Sequence, residues 1–293
     1  MPRDRERLHI LSHLKHSETP KMKTCWIWTP VLFFIAAGTV GLGAESATDD
    51  GNAAPARVLI VTGEDYAGHR WRETTPALQQ AVEQDARMKV DVLDDLTQLA
   101  ETDLAPYASV VLHFKNYDPK VPGRAGFDNL KRFVERGGGL VLVHFACGAF
   151  EEFKDEFEPL AGRVWFGARP PAGRHQHDPY GEFKVTITGV DHPITRGMES
   201  FTTVDELYTC LEGETPITVL AESTSKVDGK EYPMAFVLRF GKGKVFHYAL
   251  GHNVPALKND GAATLLRRGT AWTAGLESMP HSLEKSPGND SGA

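Results

Sequence analysis

The run from 137 to 150, Gly137-Gly138-Gly139-Leu140-Val141-Leu142-Val143-His144-Phe145-Ala146-Cys147-Gly148-Ala149-Phe150, does most to restrict how this chain can fold. Three glycines stop a helix, and four branched apolar residues follow with no polar position among them, too few for a second helix. Such a run reads as a strand covered on both faces, inside a parallel sheet. At its carboxyl end the chain turns through His144 and small residues, the place where open α/β sheets hold their ligands. His144 is therefore the first candidate site residue. A lone histidine or cysteine there is more often a hydrogen-bonded core residue, so its meaning depends on what else arrives beside it.

The flanking sequence repeats the pattern. Val58 to Val61, Val90 to Leu93 and Ser109 to His113 read as further strands. Between them, Thr75-Pro76 predicts an N-cap with proline at the first helical position, followed by the apolar face of Leu78, Ala81 and Val82. Phe127, Leu130, Phe133 and Val134 keep helical spacing up to Gly137. Strand and helix alternate, which predicts a flavodoxin-like, mainly parallel, doubly wound α/β sheet with helices on both faces. Later, Glu151 to Leu160 predicts a short acidic helix, and Arg163 to Tyr180 a functional loop. Phe183 to Ile187, Ile217 to Leu220, Met234 to Leu238 and Lys244 to Leu250 predict strands, the last two joined at Gly241-Lys242-Gly243. Asn259-Asp260 predicts the cap of a closing helix.

Residues 25 to 44 carry no charge and follow Lys21-Met22-Lys23. This is the composition of a secretory signal peptide, with Gly43-Ala44 at the cut and Met22 as the start; an uncleaved membrane anchor is the alternative. The expected organisation is a leader over 1–44, a linker over 45–56, one domain over 57–275 and an unstructured tail over 276–293, in a protein that is secreted or periplasmic. The formal net charge of −7 sits in the body, because the leader is basic, so a phosphate backbone is repelled and nucleic acid is excluded as a partner. Three cysteines, of which Cys25 lies in the leader, make neither a disulfide framework nor a Cys-x-x-Cys zinc or redox site.

Three histidines follow strands that should run the same way: His69 in the loop after the first, His144 after the central one and His252 after the last. Together they suit general acid/base work, with His144 and His252 as the proton-transfer groups and Glu206, of Asp205-Glu206-Leu207-Tyr208, as the carboxylate that orients them. His69, Trp71, Asn116, Tyr117, Tyr208 and Asn253 are the candidate substrate-binding residues, offering hydrogen bonds and aromatic faces to a sugar. His175-Gln176-His177-Asp178 places two imidazoles on one extended face, the pattern of a divalent metal such as zinc, although a substrate-touching loop is an equal reading.

Five stretches in this order resemble the ThuA-like (trehalose utilisation) family: Gly68-His69-Arg70-Trp71 with Thr74-Thr75-Pro76; Gly137 to His144; Asp191-His192-Pro193-Ile194-Thr195-Arg196-Gly197; Asp205 to Tyr208; and Gly241 to Phe246 with Leu250-Gly251-His252. The resemblance implies a class I glutamine amidotransferase-type fold and a role in disaccharide use through 3-keto sugars. That superfamily carries a cysteine at the strand-to-helix elbow, where this chain has His144, with Cys147 three residues later. His252 and Glu206 then stand where the helpers of that cysteine would be. Three functions are compatible with this: a secreted enzyme acting on a glycoside or keto-sugar, a carbohydrate-binding module without catalysis, and a hydrolase using Cys147.

Overall fold

The structure, a computed structural model, describes residues 54–165 and 176–276. The leader, most of the linker, the centre of the 163–180 loop with His175, and the tail from 277 lie outside the described residues. Among the described residues no helix is long and apolar enough to cross a membrane.

Nine strands form one sheet: β1 Ala56–Val61, β2 Met88–Leu93, β3 Ser109–Leu112, β4 Gly139–Val143, β5 Gly181–Ile187, β6 Phe201–Asp205, β7 Thr218–Thr224, β8 Glu231–Phe240 and β9 Gly243–Tyr248. Their spatial order is β2-β1-β3-β4-β9-β8-β7-β5-β6. The first five in that order pair in parallel, with the 2-1-3-4 arrangement of a flavodoxin-like sheet and the last strand in fifth place. The other four pairings are antiparallel. Four reversals restore the original direction, so β6 ends on the same rim as β1, β3, β4 and β9.

Leu140 to Val143 are fully buried, as their unbroken apolar run predicts, and each such side chain contributes about 1.5–3 kcal/mol of transfer free energy. Helices α1 Trp71–Glu83, α4 Val254–Leu257 and α5 Asp260–Thr273 cover one face, where Leu78, Val82, Leu265 and Leu266 join Val58, Ile60 and Val141 in one core. Helices α2 Gly123–Glu135 and α3 Lys154–Ala161 cover the other, with Phe127, Leu130 and Phe157 against Leu140 and Leu142. The sheet is wound on both sides.

Two local expectations change. Helix α1 begins at Trp71, so Pro76 lies inside it rather than at its first position. The first turn is instead held by Asp65, which accepts from Trp71 Nε1 at 3.0 Å and pairs with the Arg72 guanidinium, while Thr74 Oγ1 donates to Arg70 O. These contacts outweigh the usual bias of pre-proline residues against helix. Strand β6, read from sequence only as a polar segment, has the buried positions Thr203 and Asp205 and the exposed Val204, an inverted pattern. Asn259 caps α5 as predicted, accepting from Ala262 N at 3.1 Å.

Candidate active site: three imidazoles and a carboxylate at one rim

The parallel half of the sheet delivers His144 directly. Strand β4 stops at Val143, and His144 takes a left-handed φ of +49° as the chain enters a short 3₁₀ turn over His144–Gly148. A non-glycine residue in this region carries strain of about 1–3 kcal/mol, of the kind that collects where a side chain must be aimed. The ring is fully buried. Its Nδ1–H donates to Ala249 O at 2.9 Å, which leaves Nε2 as the acceptor of the Tyr208 hydroxyl, also at 2.9 Å. Glu206 Oε2 lies 3.4 Å from the same nitrogen.

His69 comes from a two-strand ribbon, Asp65–Tyr66 with His69–Arg70, in the loop after β1. Its ring lies flat on Phe145, centroids 4.3 Å apart at 3°, and stands edge-on to His144 and His252 at 5.1 and 4.9 Å. Burial, and then the like charges of His144 and His252, push its pKa down to about 2, so it is a neutral imidazole.

Asp205 brings the other two groups together. Fully buried at the end of β6, it accepts from Gly251 N at 2.7 Å, His252 N at 3.1 Å and Glu206 N at 2.8 Å. The loop after β9 is thereby fastened to the loop after β6, strands at different places in the sheet. Burial raises the Asp205 pKa, and the charge of His144 and the three N–H groups oppose the rise. His252 Nδ1 then sits 3.2 Å from Glu206 Oε2, close enough for an ion pair though without the alignment of a hydrogen bond. Burial works to raise the Glu206 pKa and to lower that of His252; the contacts of Glu206 with His144 and His252 outweigh burial and lower Glu206, and those of His252 with Glu206 and Asp205 outweigh it and raise His252. One donor atom from each of His69, His144, His252 and Glu206 lies within 4.8 Å of the others.

The remaining candidates divide. Tyr208 is buried, its ring 4.4 Å from that of His144, so it supports the imidazole and has no face free for a sugar. Tyr117 is exposed and stacks on exposed Tyr66 at 3.8 Å. Asn253 caps α4 and donates from Nδ2 to the Tyr180 hydroxyl at 2.8 Å, beside His252. Asn116 is engaged with Glu152. Trp71 lies to one side, lining a cavity of about 390 Å³ with His69, Asp65 and Glu73. His177 sits outside the group of four, its Nε2 3.9 Å from Glu206 Oε1 and its Nδ1–H donating to Asp178 O at 2.7 Å. Among the described residues the metal-capable group is His69, His144, His252 and Glu206; His175, and with it the expected His175–His177 pair, lies outside them. Cys147 is buried and its thiol is pushed far up by that burial, with Cys210 adding to the rise; a thiolate nucleophile there is not supported.

Sequence reasoning missed Glu64 and Lys115. Buried Glu64 accepts from the backbone N–H of Lys115 at 2.6 Å, of Asp118 at 3.0 Å and of Tyr117, fixing the loop that presents Tyr117. Lys115 Nζ lies over the Tyr117 and Trp165 rings at 4.6 and 4.4 Å. A charged residue three positions past the end of a buried strand was the signal available for both.

Residues 57–273 match the family model ThuA, described as trehalose utilisation. The chain belongs to this family. Among solved structures, a putative ThuA-like protein of Parabacteroides merdae shares 24% identity with a TM-score of 0.67, over 77% of this chain and 92% of that one. Another, from Bacteroides uniformis, shares 17% identity with a TM-score of 0.59, over 76% and 93%. Both likenesses establish the fold. No curated protein matches. The ThuA match includes the five stretches that carried the resemblance, and four contribute to the rim just described or to the strands leading to it. The fifth, Asp191 to Gly197, lies in the β5–β6 connection at the opposite rim, where Arg196 pairs with Asp191 at 2.9 Å.

Proposed function

We propose that this ThuA protein cleaves a glycoside whose ring has been oxidised to a ketone, by removing the proton next to that ketone. The observation that carries the reading is the make-up of the accessible part of the cluster. His144 and His69 are buried, and the Glu206 and His252 side chains keep 15% and 19% of their surface in solvent. Around them stand Tyr66, Tyr117 and Tyr180, which are 41%, 39% and 45% exposed and offer apolar faces to a sugar.

A ketone makes the adjacent C–H acidic, so elimination needs one base and one group that stabilises the developing oxyanion. His177 Nε2 is the accessible base: its Nδ1–H is committed to a carbonyl and its ring is about one-third exposed. It takes the proton from the carbon between ketone and glycosidic carbon, and the electron pair of that C–H bond forms a C=C bond as the glycosidic C–O bond breaks. The departing oxygen receives the proton back from His177. His252, held by Glu206, faces the ketone oxygen, and His144 is a positioning residue that acts through Glu206 and Tyr208.

The test is release of free sugar from a 3-keto disaccharide by the full chain and by H177A, H252A and E206Q. Wild-type turnover that each substitution cuts by ~10²-fold or more is expected. Turnover undiminished in all three overturns the reading, and sugar binding without product identifies a binding module instead.

A further inference from the structure

We infer that His69, His144, His252 and Glu206 form a binding site for one divalent first-row transition ion. The inference rests on the geometry of these four side chains and not on the keto-sugar reading.

Spacing is the first observation. Nitrogen and oxygen donors about 2.0–2.1 Å from a tetrahedral ion lie roughly 3.3 Å from one another. Glu206 Oε2 is 3.4 Å from His144 Nε2 and 3.2 Å from His252 Nδ1, so two edges of that polyhedron are already in place. The whole set falls within 4.8 Å, so side-chain rotation has to bring the farthest donors about 1.5 Å closer to reach that edge.

The second observation is unused bonding capacity. His69 Nδ1 is buried without a hydrogen-bond partner in a ring only 6% exposed, and His252 Nδ1 has only its misaligned contact with Glu206 Oε2 at 3.2 Å. A buried polar atom with no partner costs about 1–3 kcal/mol. A cation between them satisfies both.

The support around the donors is the third. A metal-bound histidine characteristically donates its other ring N–H to a carbonyl or carboxylate, as His144 does to Ala249 O at 2.9 Å. Asp205 fixes the backbone of both Glu206 and His252 through three N–H groups, and the left-handed φ at 144 aims the third donor. The Tyr208 hydroxyl, now donating to His144 Nε2, has to rotate aside when the ion enters.

Three imidazoles with one carboxylate suit zinc, cobalt, nickel, iron or manganese, and not calcium or magnesium, which prefer oxygen. The same chemistry names a ligand class: a ketone beside a hydroxyl chelates such an ion through both oxygens, so the ion would take over from His252 the polarisation of a keto-sugar carbonyl.

The experiment is cation binding by the full chain, by calorimetry with Zn²⁺ and by the visible absorption of added Co²⁺, alongside metal analysis of protein dialysed against each ion. One equivalent per chain is expected, with affinity reduced at least 100-fold in H69A, H252A and E206Q and unchanged in H192A and H113A. Near-ultraviolet circular dichroism confirms that each variant is folded, and H69Q replaces H69A if the latter is not. Absence of binding by the wild type for all five ions, or binding that survives H69A and H252A together in a folded chain, overturns the inference. A chain that binds the ion but leaves keto-sugars intact keeps this inference and removes the proposed function; keto-sugar cleavage by a chain that binds none does the reverse.

Discussion

The two rims of the sheet are built from similar residues and do different things with them. On the amino side most polar groups are paired, Asp191 with Arg196, the Ser109 hydroxyl with that of Thr273 at 2.8 Å, and Arg57 with Asp91, and the buried Thr195 hydroxyl is the exception among those named. That rim also holds a cavity of about 530 Å³, lined by Lys244, which donates to Trp272 O at 3.1 Å, and by the exposed Arg132, Arg136 and Lys242. On the carboxyl side, three histidines gather with one glutamate, the buried His69 Nδ1 has no partner, and the backbone at His144 is left-handed. Matched polar groups hold a fold together; unmatched ones, held in place by their surroundings, are ready for a ligand.

The widest separation between the rims should appear in turnover. H252A and E206Q are expected to lower the rate of keto-sugar cleavage by ~10²–10⁴-fold, whereas D191A changes it less than twofold; steady-state kinetics on the three variants decides. Stability should show the reverse. A Cβ added at Gly139, where β4 begins on the amino side, would stand 2.4 Å from Thr273 O. G139A is therefore expected to lower unfolding free energy by about 2–3 kcal/mol in urea titration, while the folded fraction keeps its rate.

Buried histidines away from the cluster sharpen the contrast. Burial lowers the pKa of His113 to about 3 and of His247 to about 4; the first lies between the Thr62 and Thr74 hydroxyls, and the second donates from Nδ1 to Ala161 O at 3.0 Å while its Nε2 has no partner. Both are neutral when folded and gain a proton near pH 6.5 when unfolded. Their contribution to stability is complete above pH 6.5 and falls as pH drops from there toward 4, by roughly 1–2 kcal/mol each at pH 5. Denaturation midpoints at pH 7 and 5, compared between wild type and H247F, measure it; an unchanged difference between the two chains would contradict the sign. A smaller change is expected from Y208F, which removes the hydroxyl donated to His144: about 1 kcal/mol of stability and a lower kcat with KM retained. Smallest is D191A, whose exposed ion pair is worth at most about 0.5 kcal/mol in thermal unfolding.

The parallel half was legible in sequence because strands buried on both faces leave unbroken apolar runs, as at Val58 to Val61 and Leu140 to Val143. Once those strands were assigned, their common direction placed His69, His144 and His252 at one rim. Strand β6 escaped because its inward positions, Thr203 and Asp205, are polar: the strand faces a site, and a hydrophobicity pattern cannot report that. For the same reason Glu206 could be proposed as a partner of the imidazoles but not placed. Its approach depends on hydrogen bonds from Gly251 and His252 to a carboxylate 46 and 47 residues earlier. Tyr208 was singled out for its ring, and the structure uses its hydroxyl.

The run of antiparallel pairings that separates β9 from β6 in the sheet also limits how this chain can be altered. Because Glu206 meets the histidines only after an even number of antiparallel pairings, losing or gaining a single strand from that series, with every remaining neighbour still antiparallel, would send the carboxylate to the opposite rim. Length changes in this region that preserve the site must therefore come as whole hairpins, two strands at a time, and a relative with an odd count would have to recruit its acidic group from somewhere else.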